Sequence, residues 1–218
     1  MRSRLRRAPV TGALLVTIFA VFAYEWWSGA LENTQRLYDL GAIYKTLITD
    51  HEYWRAVTGM FLHASPLHIL ANAWSLYQLG SLYEAMFGSR RFAIIYFSTG
   101  IVASFASAAF TDNVSVGASG AVLGILGAFI FSIRRSPQWR HEPWTKGLIG
   151  QLIFWAAVNL LLPLQIKNID GTAHIAGLLS GLILGFVIPH RVPPPPPGGM
   201  VIEVPPSPPS ENQPQVLR

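Results

Sequence analysis

Cysteine is absent from the chain, which excludes disulfides, thiol nucleophiles and thiolate metal sites. Charge is scarce as well: Asp, Glu, Lys and Arg make up 12% of the residues, about half the ~25% of an ordinary soluble domain. That balance argues against a water-soluble surface and for a membrane protein. The zinc signature HExxH, the phosphate cradle GxxxxGK[ST] and the paired aspartates of an intramembrane aspartyl site are all missing. No metal ion and no organic cofactor is therefore expected. Nor is there a fixed-period repeat of the kind that builds solenoids.

What the chain does have is long apolar runs, 51% of its residues being hydrophobic. Six runs approach the length of about 20 residues that spans a hydrocarbon core, near 9–27, 67–87, 91–110, 117–133, 146–163 and 171–189. The first follows Arg2, Arg4, Arg6 and Arg7 and reads either as a secretory signal or as a retained span. Tyr24, Trp26 and Trp27 close it as an interfacial belt would, and no small-residue cleavage site follows, which favours a retained span. In a six-span reading, the N-terminal arginines, Arg90, Arg91, Arg134, Arg135, Arg140, Lys146 and Arg191 fall on one side. The other side carries only Arg36, Lys45, Arg55 and Lys167. The positive-inside bias then predicts both termini in the cytoplasm. The Arg-rich start reads either as organelle targeting or as a topology signal before an apolar span, and the second reading favours a bacterial cytoplasmic membrane. It also accounts for most of the net charge of +5 without nucleic acid as a partner.

The expected organisation is a basic N-terminus at 1–8, a membrane domain at 9–190 and a tail at 191–218. Residues 28–66 are long for a connection and mix Tyr38, Tyr44, Trp54 and Phe61 with polar residues, which predicts a structured loop on the outer leaflet. Within it, Trp54-Arg55 reads either as a brace for loop carbonyls or as an interfacial Trp beside a solvated Arg. The tail, with Pro193–Pro197 and further prolines, cannot form a packed core. It is either a bland extended end or a ligand for a proline-recognising partner.

Three polar patterns interrupt the apolar runs, and polarity inside a bilayer is expensive enough to mark function. GxSG at Gly117–Gly120 puts Ser119 at the start of the fourth run, where the free N–H groups of a helix N-terminus can stabilise a developing oxyanion. AHxxGxxxG from Ala173 puts His174 at the start of the sixth, on the same outer side. A serine and its base must approach within about 3.2 Å, which requires helices in very close contact. Gly177, Gly181 and Gly185 share a face with His174, and Gly120, Gly124 and Gly127 make a matching seam. HxxxN at His68 and Asn72 places two hydrogen-bonding side chains within about 40° of each other on the second run. They are either oxyanion donors or polar glue between helices.

In this order, these motifs resemble the rhomboid intramembrane serine proteases over roughly residues 50 to 188. Trp54-Arg55, Thr58, Phe61–His63, His68 to Asn72, Gly80 with Glu84 and Gly88, GASG at Gly117–Gly120 and AHxxGxxxG all recur. The resemblance implies an all-α, six-helix membrane bundle with a long structured loop between helices one and two. It implies a dyad of Ser119 as nucleophile and His174 as base, with His68, Asn72 and the Ser119 amide as oxyanion hole. Trp54 and Arg55 would anchor the outer loop, while Glu84, Gly117, Gly120, Gly177 and Gly181 would be structural. Substrates would be single-span membrane proteins cleaved near the outer face. One departure is Leu123, where the family often has an aromatic residue supporting the histidine. Asp170, one turn before His174, either caps its helix or assists the base. Two rivals remain: a non-catalytic rhomboid-like protein that binds membrane helices, and a transporter using His68 and His174 in a proton path.

Overall fold

Proline opens three of the helices that frame the site, at Pro9, Pro66 and Pro143. Its fixed φ suits the first helical turn, and its missing N–H costs nothing there. The computed structural model describes residues 7–166 and 169–188; Arg2, Arg4, Arg6, Lys167, Arg191 and the proline-rich tail lie outside them. Among the described residues the regular structure is helical: α1 (Pro9–Ser28), α2 (Thr34–Asp39), α3 (Thr46–Thr49), α4 (Arg55–Thr58), α5 (Pro66–Ser75), α6 (Ser81–Phe87), α7 (Ser89–Phe110), α8 (Ser119–Arg135), α9 (Pro143–Gln165) and α10 (Gly171–Val187). By length and composition, α1, α7 and α9 can each cross a membrane.

The second expected run is not one regular helix. A five-residue π turn, Leu76–Gly80, joins α5 to α6, and such wide turns bend a helix at the point where they occur. The fourth and sixth runs form shorter helices of 17 residues each, α8 and α10.

Helix α8 is the centre, buried continuously from Gly120 to Phe129. Lipid tails are as apolar as leucine, so these helices associate through close van der Waals fit rather than hydrophobic exclusion. The fit is made by glycine. A Cβ on Gly177 would collide with the Gly120 carbonyl, one on Gly181 with the Gly124 carbonyl, and one on Gly185 would lie 2.5 Å from the Ala128 oxygen. From the other side, Thr99 of α7 fills the space beside Gly124, and the Ala103 methyl would lie 2.5 Å from a Cβ on Gly120. Helices α8 and α10 therefore meet almost backbone to backbone, and α7 packs small side chains against the α8 backbone.

Glu84 ties α6 to α1. Its carboxylate accepts the N–H groups of Val10 at 2.9 Å and Thr11 at 2.8 Å, and the Thr11 hydroxyl at 2.7 Å. These amides are orphan donors of the first turn of α1, which no intrahelical carbonyl can satisfy. A buried acidic group there also faces the positive end of the helix dipole.

Candidate active site

Ser119 is the first residue of α8, so its N–H has no intrahelical acceptor. The segment before it is held by the loop between α1 and α5. Ile43 and Ser115 exchange two main-chain hydrogen bonds at 2.8 and 2.9 Å, and the Gly117 N–H donates to the Gly59 carbonyl at 2.9 Å. Gly117 has φ +123°, a conformation that L side chains rarely adopt. A Cβ there would also stand 2.7 Å from His68 Nε2 and 3.6 Å from Asn72 Nδ2. Glycine is thus required twice, for the turn and for the approach of the His68 ring to the backbone just ahead of Ser119.

His68 and Asn72 lie on α5. The Ser65 hydroxyl oxygen caps this helix by accepting the His68 N–H at 3.2 Å, and buried Asn72 donates through Nδ2 to the His68 carbonyl at 3.1 Å. The His63 ring stands edge-on to His68, centroids 5.1 Å apart, and its main-chain N–H donates to Glu25 of α1 at 2.9 Å. Burial pushes the His63 imidazole down to about 3, the neighbouring His68 adding to the shift, so His63 is neutral at ordinary pH.

His174 lies in the first turn of α10 and is 5% exposed. Asp170 caps that helix by accepting the Ala173 N–H at 2.9 Å, and the Ser107 hydroxyl of α7 donates to its other oxygen. The carboxylate is thus engaged as a cap. The His174 ring instead bonds through Nδ1 to the main-chain carbonyl of Asn159 on α9, at 3.0 Å. A carbonyl can only accept, so Nδ1 carries the hydrogen, and the neutral ring keeps Nε2 as its basic nitrogen. The two helix N-termini that carry Ser119 and His174 are brought together by the contact of Gly177 on the Gly120 carbonyl. His68 is within electrostatic reach of His174.

The loop between α1 and α5 is organised by Arg55, 3% exposed. Its guanidinium donates to Glu52 at 2.5 Å and to the carbonyls of Tyr38 at 2.5 Å and Ala42 at 3.2 Å. It stacks 4.0 Å from the Tyr38 ring centroid and 4.5 Å from that of Trp54. Arginine's fixed fork suits this task, since its donors diverge to several acceptors at once. The Arg55 bond, with a smaller contribution from Thr46, holds the Glu52 carboxyl below its ordinary range. Leu123 is buried within α8. Motif reading does not find Asn159, Ser107 or Glu25. The Asn159 contact is made by a main-chain atom that no residue type announces, and the other two are isolated polar residues without a spacing.

Residues 50–191 match a family model described as Rhomboid domain. The chain is 34% identical over 154 residues to "Rhomboid protease GluP" of Bacillus subtilis (strain 168), covering 71% of this chain and 30% of that protein. It is 35% identical over 158 residues to "RHOMBOID-like protein 6, mitochondrial" of Arabidopsis thaliana, covering 72% and 50%. With the YdcA protein of the same Bacillus strain the identity is 32% over 183 residues, covering 80% of this chain and 84% of that one. The chain thus spans half or less of the length of the first two relatives and most of the third.

Proposed function

The chain belongs to the rhomboid family, and from that premise we propose that it is an intramembrane serine endopeptidase working through a dyad of Ser119 and His174. The observation that carries this reading is the tautomer of His174. With Nδ1–H spent on the Asn159 carbonyl, Nε2 is the nitrogen able to take the Ser119 proton.

The reaction is acyl transfer. Ser119 Oγ attacks the substrate carbonyl as its proton passes to His174, and the tetrahedral oxyanion is received by the Ser119 amide, His68 and Asn72. The imidazolium then protonates the leaving amine, and the freed base activates water to hydrolyse the acyl-enzyme. Asp170 takes no part in proton transfer.

In the fuller reading all six apolar segments cross the membrane, with both termini on the basic side. A single-span substrate reaches Ser119 laterally, between α5 and α9. Helix α9 is the element suited to give way: 11% of its most apolar window is buried, against 50% for α7. Substrates carry small or helix-breaking residues near the cut, because opening backbone hydrogen bonds in lipid is costly unless the helix is already weak.

The test is cleavage of a generic single-span reporter by the purified protein in detergent. Wild type is expected to cut it, and Ser119→Ala to bind it but cut it at least a thousandfold more slowly, the order seen when a serine nucleophile is removed. Equal cleavage by both would end the protease reading in favour of a contaminating activity or a helix-binding role.

A further inference from the structure

The bond that fixes the base raises a question of supply: a carbonyl inside a helix is normally engaged by the N–H four residues on. Asn159 lies in the interior of α9, and the residue four positions later is Pro163, which has no N–H. The helix nonetheless continues to Gln165, and the Ile166 N–H donates to the Leu162 carbonyl at 3.0 Å. Pro163 therefore leaves the Asn159 carbonyl without its helical donor, and it is the acceptor on which His174 Nδ1 sits.

We propose that Pro163 is a positioning residue for the reaction: by withholding a helical donor from the Asn159 carbonyl, it reserves that oxygen for His174 and sets the tautomer of the base. A proline in α9 thus does by subtraction what a carboxylate does in a Ser-His-Asp triad. This rests on the reading of His174 as the general base.

Two observations support the assignment. The Asn159 side chain turns back along its own helix, Nδ2 donating to the Trp155 carbonyl at 2.8 Å, so only the main chain of residue 159 faces the histidine. The Pro163 ring also docks on the first residue of α10, since a Cβ on Gly171 would lie 3.2 and 3.3 Å from its Cβ and Cγ. That contact fixes the height of α9 against the turn that carries His174. A consequence follows for substrate admission. The orienting carbonyl sits on the helix with the least buried surface, so displacing α9 to admit a substrate loosens the base, and its return restores the competent tautomer.

The experiment compares three forms of the full-length protein in detergent: wild type, Pro163→Ala, and a variant whose residue 163 is the α-hydroxy counterpart of alanine, joined by an ester. Alanine restores the N–H, while the ester form has the same methyl side chain and no N–H. Alanine is also a better helix former than proline, so folding is retained. The first readout is the ¹⁵N spectrum of the histidine rings, with His174 assigned from the signal lost in His174→Gln. The expected result is a predominant Nδ1–H tautomer in wild type and ester, and a mixture in Pro163→Ala. The second is the kcat for the reporter, expected to fall about tenfold or more in Pro163→Ala at unchanged KM and to recover in the ester form. An unchanged His174 tautomer in Pro163→Ala, or an ester form that behaves like alanine, would overturn the proposal. Because the tautomer is read without turnover, a wild type that cuts nothing would count against the protease reading alone.

Discussion

Single residues in this protein earn their positions by the number of orphan groups they satisfy. Glu84 accepts three hydrogen bonds from the start of α1, and Arg55 holds two loop carbonyls and Glu52 between two aromatic rings. The Arg55 cluster carries a pH dependence whose sign follows from the Glu52 carboxyl. Its folded pKa lies below the unfolded value of 4.5, so the bond contributes fully above that pH and is lost as pH falls through the lower folded value. The thermal midpoint of wild type is therefore expected to drop below pH 4.5 more steeply than that of Glu52→Gln, in which the titrating group is gone. Parallel profiles for the two proteins would show that the loop clamp does not depend on this charge. Much of this scale is legible in the sequence, because Trp54-Arg55, His68 with Asn72, and Ser119 sit in spaced patterns. The Asn159 carbonyl is not, since every residue has one and only the missing donor at Pro163 distinguishes it.

At the scale of elements, the decisive feature is the seam between α8 and α10. Its glycines recur every four residues on α10 and every three or four on α8, a period that can be read directly because a helix brings such positions onto one face. The pairing itself, Gly177 on the Gly120 carbonyl and Gly181 on the Gly124 carbonyl, needs coordinates. Gly177→Val has no flexible neighbour to displace, only backbone, and is expected to lose about 1–3 kcal/mol of stability and essentially all cleavage, by forcing apart the two helix ends. Gly150→Ala is the control: nothing lies within 4 Å of a Cβ there, so it is expected to retain activity and gain up to about 1 kcal/mol from helix propensity. Thermal melts and reporter cleavage on both variants check the pair, and a Gly177→Val protein with full activity would remove the seam from the account. The helix boundaries fall within three residues of the apolar runs for α1, α7, α8, α9 and α10. The break in the second run escapes a hydropathy scan, because Leu76–Gly80 is as apolar as its flanks and differs only in hydrogen-bond register.

Across the whole molecule, the polar chemistry gathers at one end. Ser119 and His174 lie in the first turns of α8 and α10, the loop between α1 and α5 reaches the Ser119 segment through Ile43 and Gly59, and the end of α7 supplies Ser107 to Asp170. The opposite end is basic: Arg91, buried at the start of α7, donates to Ser132 at 3.0 Å and to the Gly185 carbonyl at 3.3 Å, joining the last turns of α8 and α10. Helix dipoles favour this arrangement, with a cation at the C-terminal ends and, in the proposed reaction, the oxyanion at the N-terminal ends. The helical class follows from the hydropathy pattern, whereas the linkage of α9 to His174 is a tertiary fact. The most direct measurement of the central claim is mass-spectrometric mapping of the adduct formed with a fluorophosphonate in detergent. A single adduct on Ser119 in wild type, formed at least a hundredfold more slowly in His174→Gln, is the expected result. Modification at any other residue, or an undiminished rate without the imidazole, would contradict it.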